Sequence, residues 1–577
     1  MKKQIKVLFN VFICTCLLTS CISQEKSKTD VLTNNDSTAA SKKSIVETIS
    51  TISDTSIEEI IAHYHRLKRE NPEAYNFDDE NELNNYGYQL LDMGKIKDAI
   101  KIFELLVAEF PNSSNPYDSL GEAYHADGNK ELAVRNYEKS LKLNPKNINA
   151  EDWINKIKYA TYDSTRFHKV YSIKQYKNDL DELGRRLTEV NPNAYKFITK
   201  DDFWKAIEVK KSLITERTTF SEFIWYCSEI IANISCSHTS MGYFNQERKM
   251  IPIDLRFPIE VKLINDKLYV SDPLINRKIV AAKSEITSIN GIEFETIKNE
   301  IYKHISSQGN IETYKKNFIN SHSTSIIPYA LGFPKSYVVT IKGKSKPVEL
   351  KKLKNYQNNF QELPEYLCKE RLCLQYINDN TSAMMTIRSF AYYGSKFPEF
   401  KAFVDTSFKE LEQKKIKNLV IDVRGNGGGP SDAGVYLLRY LAQKPFVYFS
   451  NSQFNEKLEP VQPFENRFNG NLYFTIDGNG GSTTGHFMSL VKHLKLATLI
   501  GEELGSNQFC TGGQKRLRLP NTGIIYAVSR NTYVTTATSL PVDRGIMPDY
   551  TITQSIDDYL NNVDTVMEYT LRLIKKM

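Results

Sequence analysis

A multidomain α/β chain is the fold class this sequence predicts: an N-terminal α-solenoid, a β-rich domain, and an α/β core with βαβ units. Three observations predict it. Small and large apolar residues recur at a spacing of 34 between Pro111 and Pro145 and their neighbours. Apolar and polar residues alternate over 259–263 and 284–291, as in strands with one exposed face. Two apolar runs, 419–423 and 472–476, each open into a glycine-bearing loop and then a helical pattern, as strands covered on both faces do. At 577 residues and 41% apolar, the chain has material for three or four domains. Its net charge of +7 is small for that length and widely spread, which argues against nucleic acid as a partner.

The chain opens on Met1-Lys2-Lys3, a short basic start, followed by an apolar stretch over 7–18 that is too short to span a bilayer well. Leu18-Thr19-Ser20-Cys21 then resembles a bacterial lipoprotein cleavage box. Residues 1–20 are thus expected to be a lipoprotein signal and Cys21 the lipidated mature N-terminus. This implies a membrane-anchored protein of the bacterial cell envelope facing the periplasm or exterior; a simple secretory signal is the alternative. Cys14 and Cys16 leave with the signal. The remaining Cys227, Cys236, Cys368, Cys373 and Cys510 have no zinc-ligand spacing, so no metal is expected, and their odd number precludes complete pairing. Cys368 and Cys373 could close one local bridge. Residues 21–55 are rich in Ser, Thr, Asn, Asp and Lys and read as a tether that cannot bury enough surface to order itself.

Over 56–162 two units are in register: Gly87 with Gly121, Ala99 with Ala133, Phe103 with Tyr137, Pro111 with Pro145. These residues resemble the tetratricopeptide repeat, whose small residues let paired helices approach while aromatic ones fill the space between. Flanking helices near 57–71 and 150–159 are expected to complete the stack, because solenoid repeats bury their surfaces only against neighbours. A groove for a partner protein and a rigid spacer are equally open readings.

In the core, Leu419 to Val423 leads into Arg424-Gly425-Asn426-Gly427-Gly428-Gly429-Pro430. Neither nucleotide fingerprint fits, because one needs glycine where Pro430 stands and the other needs a lysine that is missing. An oxyanion-type loop and a structural tight turn remain. Asp422 and Arg424 read as an ion pair bracing that loop. Ser482 falls at a strand-to-helix turn, where unpaired helical N–H groups and the helix dipole favour a developing negative charge. Capping of the helix by Ser482 or Thr483 is the bland alternative.

Four ordered motifs, the glycine run, the Ser482 turn, Ile500-Gly501-Glu502 and Gly545-Ile546-Met547-Pro548-Asp549, resemble the serine peptidases that include the C-terminal processing (tail-specific) proteases and the tricorn core protease. The resemblance covers about residues 165–577. It implies a helical cap over 165–255, a degenerate PDZ-like domain over 256–352, which captures extended peptides in relatives or survives as a structural insert, and a catalytic domain over 353–577. It implies Ser482 as nucleophile and an oxyanion hole from the amides of Thr483 and Gly428, with Gly427 the near alternative. The lysine that tail-specific proteases use as base is absent from the Gly501-Glu502 segment, and Lys515 would need a rearranged loop.

The tricorn-like branch uses a histidine preceded by serine, and Ser237-His238-Thr239 fits. His238 is therefore the expected base, suited by a pKa near neutrality, with Ser237 and a carboxylate to orient it. Val542 stands where the branch's acid belongs, so Asp543 is the nearest substitute and Glu502 a weaker one. Most relatives place a glutamate three residues after the nucleophile, and counting back from His486 gives Thr483, which stays open as the attacking residue. Polypeptide substrate, a partner protein on the repeats and a membrane through the lipid are the expected partners, with no cofactor. An inactive peptide-binding scaffold is the alternative from another class, and a carrier of small hydrophobic ligands a third.

Overall fold

A computed structural model describes residues 42–50, 55–159, 164–241, 251–356, 367–377, 381–451 and 458–576. Cys21 and the apolar leader lie outside the described residues. The chain divides into two compact units, residues 1–83 and 84–577. In the first, α1 (Ile45–Ser50) buries Ile45 and Ile49, and Glu82 accepts hydrogen bonds from Ser44 Oγ (2.8 Å) and the Val46 N–H (3.1 Å) at its start. Residues 45–50, expected to belong to the tether, therefore form a helix instead. Two isoleucines four apart supply an apolar stripe that overall composition hides. Helix α2 (Ile57–Glu70) begins with a reciprocal Ser56/Glu59 capping box and buries Ile57, Ile60, Tyr64 and Leu67 on one face.

The second unit begins with the remainder of α3 (Glu80–Asp92), then α4 (Ile96–Glu109), α5 (Ser114–Ala126), α6 (Lys130–Leu143) and α7 (Ile148–Lys158). The small residues sit where repeat packing requires them. A Cβ on Gly87 would lie 2.4 Å from Phe103, and one on Gly121 would lie 2.8 Å from Tyr137. Ala99 and Ala133 are fully buried.

Helices α8 (Ile173–Val190), α9 (Lys200–Leu213) and α10 (Phe220–Ala232) form the cap, followed by β1 (Ser240–Met241). Its core is not contiguous in sequence, unlike the expected 165–255 block. Leu517, Leu519, Ile524, Tyr526 and Val528 pack into it, and buried Asp179 accepts from the Asn521 and Thr522 amides. The PDZ-like unit holds β2 (Glu260–Ile264), β3 (Lys267–Asp272), β4 (Glu285–Ile289), β5 (Ile292–Glu293), α11 (Phe294–Tyr302), α12 (Glu312–Ala330), β6 (Tyr337–Ile341) and β7 (Val348–Leu350). Its sheet order is β2-β3-β4-β6-β7, which leaves β2 at an edge.

The C-terminal half begins with β8 (Leu372–Ile377), β9 (Ser382–Ile387), α13 (Phe397–Gln413), β10 (Asn418–Asp422) and α14 (Ser431–Arg439). Short strands β11 (Phe446–Val447), β12 (Phe449–Asn451) and β13 (Pro460–Val461) precede β14 (Asn471–Ile476), α15 (Thr483–His493) and β15 (Thr498–Gly501). Strands β16 (Phe509–Gly512), β17 (Lys515–Arg518), β18 (Ile525–Val528), β19 (Asn531–Thr535) and β20 (Tyr550–Thr551) lead to α16 (Ile556–Leu560) and α17 (Thr565–Lys576). The central sheet runs β20-β15-β14-β10-β9-β8, parallel except at β8. Leu419, Ile421 and Val423 pack on one face with α13, α14 and α15, while Val420 packs on the other with Val566 and Met567 of α17. Burial on both faces explains the near-continuous apolar run. Because β10 and β14 pair in parallel with Asp422 opposite Thr475, their carboxyl ends deliver the glycine loop and the Ser482 turn side by side.

Candidate active site

The glycine loop is held by one side chain that sequence reasoning did not single out. Asn426 is fully buried. Its Oδ1 accepts from the amides of Phe390 (3.2 Å) and Gly428 (3.0 Å), its Nδ2 donates to Ile387 O (3.1 Å), and its carbonyl accepts from Gly481 N (3.0 Å) and Thr484 Oγ1 (2.8 Å). One residue thus ties β9, the glycine loop and the Ser482 turn together. Gly428 has φ +97, and a Cβ there would lie 2.7 Å from the Ser482 Cβ and 2.9 Å from the Thr483 nitrogen, so only glycine permits this approach. The expectation for its amide needs correction. The Gly428 N–H is taken by Asn426 Oδ1, whereas no hydrogen bond among the described residues occupies the amides of Gly427 or Thr483.

Behind the loop, the ion pair expected from sequence is part of a larger brace. Arg424 pairs with buried Asp422 (2.8 Å) and with Asp564 (2.6 Å), Arg388 also reaches Asp422 (3.0 Å), and Thr475 donates to it (2.8 Å). These cations hold the Asp422 carboxyl far below the usual carboxylate range against the opposing effect of its burial. It is a structural strut.

Ser482 stands at the start of α15 with φ 53 and ψ −123, a left-handed conformation that serine rarely adopts and that costs about 1–3 kcal/mol. Its side chain makes no capping hydrogen bond. Thr483, by contrast, is buried and its hydroxyl donates to Gly429 O, so the two neighbouring hydroxyls have different environments: one free at the surface of a cleft, one engaged.

That cleft, about 730 Å³, is lined by Ser482, Thr483, the glycine loop, His238, His486, Phe449, Tyr393, Tyr533, Cys510 and residues 512–514. His238 arrives from the segment between α10 and β1. Ser237 Oγ lies 3.5 Å from its Nδ1, and the Gln514 side chain donates to its carbonyl (3.1 Å). Burial pushes the His238 pKa down to about 4, so the imidazole is neutral at ordinary pH. Ser482, His238, Ser237 and Thr483 are therefore brought together, although no hydrogen bond joins Ser482 to His238.

Asp543 is not among the residues that line the cleft. Its carbonyl accepts from Asn310 N (2.7 Å), and Asn507 Nδ2 binds the carbonyls of Val542 (2.8 Å) and Arg544 (2.7 Å), so its loop is tied to the 310 and 507 segments. Glu502 is paired with Lys316 (2.6 Å) and Lys515 with Asn149 (2.6 Å), which leaves neither facing the cleft. Cys368 and Cys373 are joined in a disulfide, while Cys227, Cys236 and Cys510 are free and buried. His486, one helical turn below Ser482, is the second residue that sequence reasoning missed.

The model of peptidase family S41 matches residues 382–552, a span holding the glycine loop and Ser482, and the tetratricopeptide repeat model matches 115–147. Among solved structures, mature CPAF is 12% identical, covers 69% of this chain and 95% of its own, and has a TM-score of 0.49. The photosystem II D1 C-terminal processing protease is 13% identical with coverages of 65% and 93% and a TM-score of 0.33. The tricorn protease is 15% identical with coverages of 70% and 36% and a TM-score of 0.30. No curated protein matches the chain. The chain thus carries a segment matched by peptidase family S41 over 382–552 and a tetratricopeptide repeat over 115–147.

Proposed function

We propose that this protein hydrolyses peptide bonds in polypeptides by a Ser482–His238 mechanism. Ser482 Oγ attacks the scissile carbonyl carbon while its proton passes to His238 Nε2, the nitrogen left available by the Ser237 contact at Nδ1. The negative charge that develops on the carbonyl oxygen is received by the amides of Thr483 and Gly427, which have no acceptor among the described residues. Two dipoles fixed in advance stabilise that charge, and losing one such donor typically costs about 3 kcal/mol in the barrier. Collapse breaks the C–N bond, with the His238 proton going to the amine, and water then cleaves the acyl-serine by the same route in reverse.

The observation that carries this reading is the strained, uncapped Ser482 sharing one cleft with a neutral imidazole. Labelling by a fluorophosphonate probe tests it: the wild type should label at Ser482 and Ser482→Ala should not. Retained labelling in the variant would end the assignment. An inactive peptide-binding scaffold is favoured by one observation, the missing Ser482–His238 hydrogen bond. Catalytic hydrogen bonds are often long before substrate binds, and an unlabelled wild type would decide for the scaffold.

The lipid anchor at Cys21 belongs to the same proposal, supported by the Leu18-Thr19-Ser20-Cys21 box. Incorporation of a clickable fatty acid should be lost in Cys21→Ser. Through it the repeats and peptidase would be held at an envelope membrane, facing the periplasm or exterior.

A further inference from the structure

His486 is a cleft-lining side chain whose two buried ring nitrogens are both left unmet among the described residues. It is 3% exposed, and neither ring nitrogen has a hydrogen-bond partner among the described residues. Burying an imidazole without partners carries a desolvation cost that an apolar residue of similar shape would avoid. Nothing in the packing of α15 requires that cost. Its neighbours Phe487, Leu490 and Val491 fill the core with hydrocarbon, and Ser489 finds Thr535.

The position is what gives the unmet nitrogens meaning. His486 lies four residues after Ser482, so the two share a helix face, and the His486 amide donates to Ser482 O (3.2 Å). Its ring is flanked by Phe449, edge-on at 5.3 Å between centroids, and by Tyr533 at 6.2 Å, both of which line the same cleft. The result is a flat-walled recess beside the nucleophile, lined by a His486 ring whose two buried nitrogens have no partner among the described residues. A peptide held for attack at Ser482 must place a side chain adjoining the scissile bond near this recess.

From this geometry we propose that His486 is a specificity-determining residue: it selects, next to the scissile bond, an uncharged side chain ending in a hydroxyl or carboxamide on a flat or apolar stem. A neutral imidazole offers such a head one donor and one acceptor. A carboxylate is disfavoured because Asp432 is the carboxylate lining the cleft. The aromatic walls accommodate the stem.

This inference rests on the Ser482 peptidase reading, and one experiment separates the two. Purified full-length protein is given peptide pairs that differ only in the polar atom beside the scissile bond: tyrosine against phenylalanine, and glutamine against methionine. The expected result is a kcat/KM ratio of about tenfold or more in favour of the polar member, reduced to near unity or inverted in His486→Phe. Equal cleavage of both members by the wild type overturns the inference without reference to any variant, and so does a ratio unchanged in His486→Phe. If no peptide is cleaved and no probe labels Ser482, the peptidase reading itself fails and the inference with it.

Discussion

At the scale of single residues, the site depends on groups that never touch a substrate. Gly428 can be no other residue, because a methyl group there would strike the Ser482 Cβ and the Thr483 nitrogen at 2.7 and 2.9 Å and would also sit at a φ of +97. Gly428→Ala should keep the fold yet lower kcat about 100-fold, the loss expected of roughly an ångström of misplacement at the reacting atoms. Steady-state kinetics with a melting curve would check it, and near-normal kcat would contradict it. His238 carries a pH signature. Its folded pKa of about 4 lies below the ordinary 6.5, so the neutral, base-competent form persists well into acid, and the acidic limb of kcat/KM should fall near pH 4 rather than 6.5. The stability sign follows from the same displacement. Between pH 6.5 and 4 the unfolded chain binds a proton at His238 that the folded chain excludes, so stability is lost as pH falls through that window. His486, lowered to about 3 by burial and then by His238, adds in the same direction. Ser482, Thr483 and His238, which line one cleft, could be singled out in the sequence because each sits in a local motif. Asn426 and His486 were not, since their importance comes from contacts with residues 36 to 58 positions away and from ring nitrogens without a hydrogen-bond partner, respectively.

At the scale of elements, alternation and helical periodicity made the PDZ-like segment legible, including a helix near 296–306 that the structure places at Phe294–Tyr302. What sequence could not give is the condition of its edge. On β2, Asn320 of α12 caps the exposed backbone: its Oδ1 accepts the Leu263 N–H (2.5 Å), its Nδ2 donates to Leu263 O (3.2 Å), and Lys262 donates to the Asn320 carbonyl (3.0 Å). A peptide adding to that edge would need these same two groups of Leu263. The structure therefore favours a unit closed by its own helix. In native-state hydrogen exchange, the Leu263 amide should be protected in the wild type and exchange faster in Asn320→Ala. Equal exchange would mean that the cap contributes nothing. The same helix also reaches the catalytic half through Lys316 and Glu502, and through Thr313, which lies 2.6 Å from where a Cβ on Gly478 would stand.

At the scale of the whole molecule, the fold class could be read from periodicity and motifs, but the way distant segments complete one another could not. The cap owes part of its core to 517–528, and the solenoid ends on the catalytic half. Helix α7 treats the outer edge of β17 as a neighbouring strand would: Asp152 accepts the Arg516 N–H (2.8 Å), Asn155 donates to the Arg516 carbonyl (2.8 Å), and Glu151 accepts the Arg518 N–H (3.2 Å). Strand β17 pairs with β18, and β18 with β1, directly after His238; the residue before β17, Gln514, holds the His238 carbonyl. Helix α7 is thereby joined to the segment that carries His238, the proposed base, and not merely strung ahead of it. Replacing Asp152 and Asn155 together by alanine strips both groups from Arg516 and leaves buried polar atoms unmet, each costing about 1–3 kcal/mol. The double variant should melt earlier and label more slowly with fluorophosphonate at a temperature where it is still folded, with Asp152→Asn recovering much of the rate because its side-chain oxygen can still accept the Arg516 N–H. A double variant that melts early but labels at the wild-type rate would confine α7 to a supporting role and cut the link between the solenoid and His238.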